Sequence, residues 1–304
     1  MISVPFLKDF IKRNLGQDWQ IAGPVAVTNN SYVYKGKREG DGLDLAIKIS
    51  RTDAGDLRNQ YSSLVRVAAG WQEAEGLTIQ RIEFFSEDPQ ILVTNWLSGV
   101  GLDRRLRRPW RKFPETIKAC RQAGKWLRHC HAATGLQMGR VDVKTILKFA
   151  KLEANKKILN HPVGKSALKT LEMSEGFIST YEVETAFIHG DFKPSNVLIL
   201  DRSIAGIDIN CEERNVVILD ISHFLNHVLL NTIGRKHAEA CSEVFMSGYG
   251  KDLSSPALSW IRISGLLRMW SLNADFPQAL ICHHQNRKII AALEKLSSDV
   301  AGRI

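Results

Sequence analysis

The sequence predicts an α+β protein of two lobes, a small antiparallel β lobe carrying one helix and then a larger, mainly helical lobe. Three observations predict it. Strand-like alternation fills residues 18–50, helical periodicity dominates from Pro114 onward, and apolar strand patterns interrupt the helices around residues 187–220. The boundary is expected near Gly99, where SGVG breaks the pattern of QILVTNWL, giving lobes of residues 1–98 and 99–304.

In the first lobe WQIAGPVAV, SYVYKGK and LDLAIKIS read as paired strands, with TNN and REGDG as turns. Leu45, Ile47 and Ile49 share one face of the third strand, and Ala46 and Lys48 share the other. The segment DLRNQYSSLVRVAAG spaces Leu57, Tyr61, Leu64 and Ala68 by three or four residues, so a helix is expected to pack on the sheet. LTIQRIEFF and QILVTNWL are two further strands. In the second lobe ETIKACRQAGKWLRHCHAATG is the clearest helix, and helical spacing resumes after residue 223. FIHGDFKPSNVLIL reads as a loop leading into an apolar strand. VVILD is expected as that strand's partner, and DRSIAGIDINCEERN as a surface loop joining the two, its acidic residues solvated.

A chain of 304 residues that is 44% hydrophobic can fill a sizeable core, and its 24% charged fraction is that of a soluble globular protein. Lys8, Asp9, Lys12 and Arg13 interrupt the N-terminal apolar residues, so no secretory signal is expected, and no apolar run reaches the roughly 18 residues of a membrane span. Cys120, Cys130, Cys211, Cys241 and Cys282 form no C-x-x-C pair and read as reduced thiols, Cys120 and Cys130 on the apolar side of a helix. The expected location is therefore the cytoplasm. The formal charge of +9 favours anionic partners.

Chemistry concentrates in the segment HGDFKPSN, residues 189–196, with Asp220 at the end of ILD and Lys48 far upstream in a strand. Phosphoryl transfer needs a cation on the phosphates, oxygen ligands for Mg²⁺ and a group to accept the hydroxyl proton, and these residues supply each part. HGDFKPSN resembles the catalytic loop of the aminoglycoside phosphotransferase and choline kinase superfamily, relatives of the protein kinases. FMSGYG at 245–250 and WLSGVGLDRRL at 96–106 resemble further segments of these enzymes.

The resemblance implies a protein-kinase-like fold, binding of ATP and Mg²⁺, and transfer of the γ-phosphate to a hydroxyl of a small molecule, carbohydrate or glycolipid. It makes Asp191 the catalytic base, His189 a brace for the loop, Lys193 a contact to the transferred phosphate, and Asn196 and Asp220 the metal ligands. Lys48 is assigned to the α- and β-phosphates.

The sequence departs from the pattern at two places on the nucleotide side. The phosphate-covering turn has no glycine, so Thr28, Asn29, Asn30 and Ser31 are expected to offer amides and hydroxyls to phosphate. Gln60 stands where a glutamate ordinarily pairs the strand lysine, with Asp56, one helical turn earlier, as the alternative.

The run RRLRRPWRK, residues 104–112, holds six cations. It reads either as a contact with an anionic membrane surface or phosphorylated substrate, or as a solvated cationic helix start. Nucleic acid is not expected, since no recognition motif is present. Two competing functions are a protein Ser/Thr kinase, disfavoured by HGD in place of HRD, and an inactive kinase-like module that binds nucleotide or nucleic acid.

Overall fold

The computed structural model describes residues 3–303 except 17, 29, 52–55, 109–111, 154–155, 211–212, 253–254 and 275–279; the side chains of 56, 156–157, 274 and 280–283 also lie outside the description. The first lobe is a twisted sheet of six strands, β1 (Trp19–Ile21), β2 (Ala26–Val27), β3 (Ser31–Arg38), β4 (Asp44–Ser50), β6 (Ile82–Glu87) and β7 (Gln90–Asn95). Their order is β1-β3-β4-β7-β6, with β2 beside β3, and every pairing is antiparallel.

Period-two alternation sorts this sheet into two faces. Trp19, Ile21, Tyr34, Leu45, Ile47, Ile49, Ile91 and Val93 form one buried layer, and α1 (Val4–Leu15) covers it through Leu7 and Ile11. This helix is a second one in a lobe expected to hold a single helix. Its start is fixed by Ser3, whose hydroxyl accepts from Phe6 N at 3.4 Å, and its docking by two apolar residues four apart. The opposite face, which carries Lys48, meets α2 (Asp56–Gly70), where Leu57, Leu64 and Val67 pack with Leu92.

The connection after β7 enters the second lobe at β8 (Val100–Gly101), α3 (Leu102–Leu106) and the long α4 (Phe113–Ala133). β9 (Gln137–Arg140), α5 (Val143–Glu153), α6 (Lys156–Asn160), α7 (Pro162–Met173), α8 (Glu175–Ile178) and β10 (Glu182–Phe187) lead to the chemical loop. Beyond it lie β11 (Val197–Ile199), β12 (Ile204–Gly206) and β13 (Arg214–Val216), then α9 (Ile218–Asn231), α10 (Arg235–Tyr249), α11 (Pro256–Ala274) and α12 (Leu280–Ala301).

The strand pattern after the loop differs from expectation. The partner of β11 is β12, reached by a tight turn, and β5 (Leu77–Thr78) joins β12 in parallel. The expected strand VVILD is only in part a strand: β13 pairs with β10, and Ile218–Asp220 already belong to α9. Residues 204–206 are therefore buried strand inside what reads as a surface loop, Gly206 lying so close to Trp126 that an added Cβ would meet its ring at 2.3 Å.

One core layer runs from α2 through α4, α10 and α9, and a second is built by α5–α8, α11 and α12. Cys120, Cys130 and Cys241 are buried thiols, not disulfide-bonded, in the first of these, as expected for Cys120 and Cys130. α4 and α10 touch backbone to backbone: a Cβ at Gly124 would lie 2.1 Å from Phe245 O, and one at Gly248 2.0 Å from Arg121 O. No described helix is long and apolar enough to cross a membrane. Gly124→Ala is expected to force these helices apart and cost about 1–3 kcal/mol, read as a lower thermal midpoint with the substrate-free protein.

Candidate active site

The loop after β10 places its residues through its own backbone. Gly190 adopts φ 82° and packs so near Asn210 O that a Cβ would approach it to 2.6 Å, which explains glycine there. His189 is fully buried. Its Nδ1 accepts from Asp191 N at 3.4 Å, which leaves Nε2–H to donate to Ile207 O at 3.0 Å. Burial lowers the His189 pKa despite nearby carboxylates, keeping the ring neutral in this bracing position. The loop is thus stitched to residues 207–210, since Ile207 N also donates to Asn196 O at 2.9 Å and Asn210 N to His189 O at 3.0 Å.

Asp191 projects from this frame half-exposed. Its Oδ2 accepts from Lys193 Nζ at 2.5 Å and Asn196 Nδ2 at 3.0 Å, and Oδ1 lies 3.6 Å from His223 Nδ1. The structure brings Asp191, Lys193 and Asn196 together in one hydrogen-bonded cluster. A 3-10 turn at Pro194–Asn196 carries the asparagine into the start of β11.

Asp220 does not join them. It sits in the first turn of α9, 1% exposed, with Oδ2 accepting from His131 Nε2 at 3.0 Å and His189 N at 2.6 Å, and Oδ1 from Gly190 N at 3.0 Å. Burial pushes its pKa up, but hydrogen bonds and charge from His131 and the loop outweigh this and hold it below the usual carboxylate range. Both oxygens are filled and sealed from the cleft, so the expected metal role of Asp220 is corrected: it is the anchor of the loop.

The carboxylate that does face the cleft is Asp208, which the sequence reading missed. It lies two residues past β12, next to Ile207, which faces Asn196 across the hairpin, and it accepts from Lys48 Nζ at 2.9 Å with a side chain 47% exposed. It is also the single non-glycine residue with positive φ among those described, at 61°, a conformation that Asp tolerates better than most. The available signal was GID only 12 residues after Asn196, on the return strand of a tight hairpin. Lys48 donates as well to Gln60 Oε1 at 3.0 Å, so the glutamine occupies the helix position expected to pair the strand lysine. The alternative, Asp56, has its side chain outside the described residues.

The turn between β2 and β3 is not arranged as expected. Thr28 N donates to Ser31 O at 2.9 Å, and the Thr28 hydroxyl accepts from Asn30 N at 3.3 Å and Ser31 N at 3.0 Å. Thr28, Asn30 and Ser31 thus spend their amides closing the hairpin, a correction to their assignment to phosphate, and Asn29 lies outside the described residues. The segment FMSGYG takes its pattern from packing: Phe245 stacks on Phe224 at 4.1 Å, Gly248 admits α4, and Tyr249 O–H donates to His131 Nδ1 at 2.9 Å.

An antiparallel sheet lobe bearing Lys48 over a helical lobe bearing the Asp191 loop is the protein-kinase-like fold. Solved structures share it. A thermostable mutant of aminoglycoside phosphotransferase APH(4)-Ia, in ternary complex with AMP-PNP and hygromycin B, is 14% identical over 97% of this chain and 99% of that one, with a TM-score of 0.65. Choline kinase LicA from Streptococcus pneumoniae is 13% identical over 96% and 98%, TM-score 0.63, and amicoumacin kinase hAmiN in complex with AMP-PNP, Ca²⁺ and Ami is 12% identical over 94% and 92%, TM-score 0.61. No protein-family model and no curated protein matches this sequence.

Two outcomes follow from the geometry. Asp220→Ala leaves two loop amides and His131 without their acceptor and is expected to cost about 3–5 kcal/mol of stability, whereas Asp208→Asn, which removes only a half-exposed ion pair, should shift the thermal midpoint by no more than the equivalent of about 1 kcal/mol.

His227, on α9, is held by burial, with His223 and Lys193 adding to the effect, at a pKa of about 3. The unfolded chain takes up a proton near pH 6.5 that the folded protein refuses, so stability is full above that value and falls as pH drops toward 3. Urea midpoints at pH 7 and pH 5 should differ by less in His227→Gln than in the parent.

Proposed function

We propose that the protein is an ATP-dependent phosphotransferase that moves the γ-phosphate to a hydroxyl of a small molecule, in the narrower reading a carbohydrate or glycolipid. The observation that carries this is the convergence of Lys48, Asp208, Asn196 and Asp191 from separate segments into one hydrogen-bonded line: Lys48 on Asp208, Ile207 N on Asn196 O, and Asn196 on Asp191. Solved structures of the same fold that carry AMP-PNP support ATP as the donor.

The residues fit Mg²⁺. Asn196 commits its side-chain nitrogen to Asp191 and keeps an amide oxygen, while Asp208 gives one oxygen to Lys48 and keeps the other, and such hard oxygen donors suit this ion. When bound there, Mg²⁺ would supply charge neutralisation on the phosphates. Lys48 would hold the α- and β-phosphates. Lys193, already at Asp191, would turn its ammonium to the transferred group. Asp191 would orient the acceptor hydroxyl and take its proton as the new O–P bond forms and the bond from the γ-phosphorus to the β–γ bridging oxygen breaks, with ADP as the leaving group. A fully inactive module needs none of these four side chains to meet.

The test is ADP release with Mg·ATP across a panel of hydroxyl acceptors, with radiolabel followed into metabolites and into protein. Asp191→Asn is expected to lower turnover by about 10²–10⁴-fold with AMP-PNP affinity retained; unchanged turnover would end the reading, and label in protein would move it to a protein kinase.

A further inference from the structure

The side of Asp191 away from the nucleotide residues carries information about the acceptor. Lys193 and Asn196 hold Oδ2, so Oδ1 is the oxygen turned toward α9. From there a polar row follows the helix at steps of four: His223, His227 and Asn231. The two imidazoles share a hydrogen bond, Nε2 to Nε2 at 3.0 Å, Asn231 Nδ2 donates to His227 O at 2.8 Å, and Arg107 Nε donates to Asn231 Oδ1 at 2.9 Å. Asp220, Ile221, Ser222, Phe224, Leu225, Asn226 and Val228 of the same helix are buried, so this row is its outward stripe.

The charge along the row is positive. Lys193 stands at one end and Arg107, 64% exposed, at the other, with Arg104 and Arg108 exposed nearby on and after α3 and Asp103 3.4 Å from Arg107. α3 packs against both α9 and the turn at Pro194–Asn196, which places this cationic end beside the reacting loop. An ammonium group here would face Lys193 and Arg107, whereas a phosphate or carboxylate would find imidazole, amide and guanidinium donors. Burial, helped by Lys193, lowers the pKa of both histidines, and with both Nε2 atoms in their shared hydrogen bond the neutral pair keeps one N–H, at Nδ1, to present.

Resting on the phosphotransferase reading of Asp191, we propose that the acceptor is an anion, bearing a phosphate or carboxylate that docks on His227, Asn231 and Arg107. At 1.5 Å of rise per residue the docked group lies about 6–12 Å from the hydroxyl at Asp191. The row selects against polycationic acceptors and makes substrates already phosphorylated or carboxylated the preferred class.

The test needs no known acceptor. Histidine Cε1–H signals of the full chain loaded with Mg·AMP-PNP are followed while inorganic phosphate, glucosamine, or phosphatidylglycerol vesicles are added. Phosphate should shift His223 and His227 in a saturable way, and Arg107→Gln should weaken that binding at least ten-fold while Arg107→Lys recovers part of it. Shifts with phosphate place the anion on a soluble acceptor, and shifts with vesicles alone place it on a lipid headgroup. Shifts with glucosamine, with none of the probes, or equally strong in Arg107→Gln overturn the proposal. Failure of the phosphotransferase reading would show separately, as absent ADP release from Mg·ATP with every acceptor while the phosphate shifts persist.

Discussion

The buried carboxylate of Asp220 is the constraint on which the rest of the site depends. It joins three elements that share no local sequence: α9, which carries it, α4 through His131, and the loop through the amides of His189 and Gly190. Taking a carboxylate out of water costs several kcal/mol and is offset here only because all three donors are in place. The line extends to Tyr249 on α10, whose hydroxyl holds the other nitrogen of His131. A relay of five polar groups therefore sets the loop against the helical core, and its position is decided by partners far from the chemistry.

Given that anchor, the hairpin of β11 and β12 does the second part of the work. Asn196 precedes β11 and Asp208 follows β12 by two residues, so the short pairing of three residues holds both at the same end of one hairpin. Trp126 closes the back of this hairpin against Gly206, stacks on Phe192 of the loop at 5.7 Å and donates from its indole to Thr78 O at 2.8 Å. The aromatic layer of Trp126, Phe192, Phe224 and Phe245 then carries the rigidity of α4, α9 and α10 directly under Asp191.

Much of this was legible in the chain. Strand alternation placed Lys48 on the face opposite Ile47, the family resemblance placed Gln60 beside it, and HGDFKPSN pointed to Asp191, Lys193 and Asn196. The two aspartates after apolar runs were harder to tell apart, because GID and ILD look alike when neither strand length nor partner is known. β12 has three residues, too few for alternation to register, and all of them are buried. ILD reads as strand from its β-branched residues although it opens a helix, a case of tertiary packing overriding local preference. Helix α1 escaped because its charged residues mask an apolar pair four apart. The inward hydrogen bonds of Thr28 follow from backbone geometry that composition does not encode.

The exchange of glutamate for Gln60 acquires a physical sense in this arrangement. A neutral amide accepts one hydrogen bond from Lys48 but leaves its charge uncompensated within the first lobe. The compensating charge comes from Asp208 of the second lobe, across the cleft and half-exposed, where such a pair is worth no more than about 1 kcal/mol. Lys48 is thus bound weakly enough to be released to an anionic ligand, and Asp208 is freed at the same moment. In a chain that paired the lysine with a buried glutamate, the two groups would be held by different partners; here one anionic ligand entering the cleft would engage both, so ligand binding and the approach of the lobes would be joined through a single ion pair.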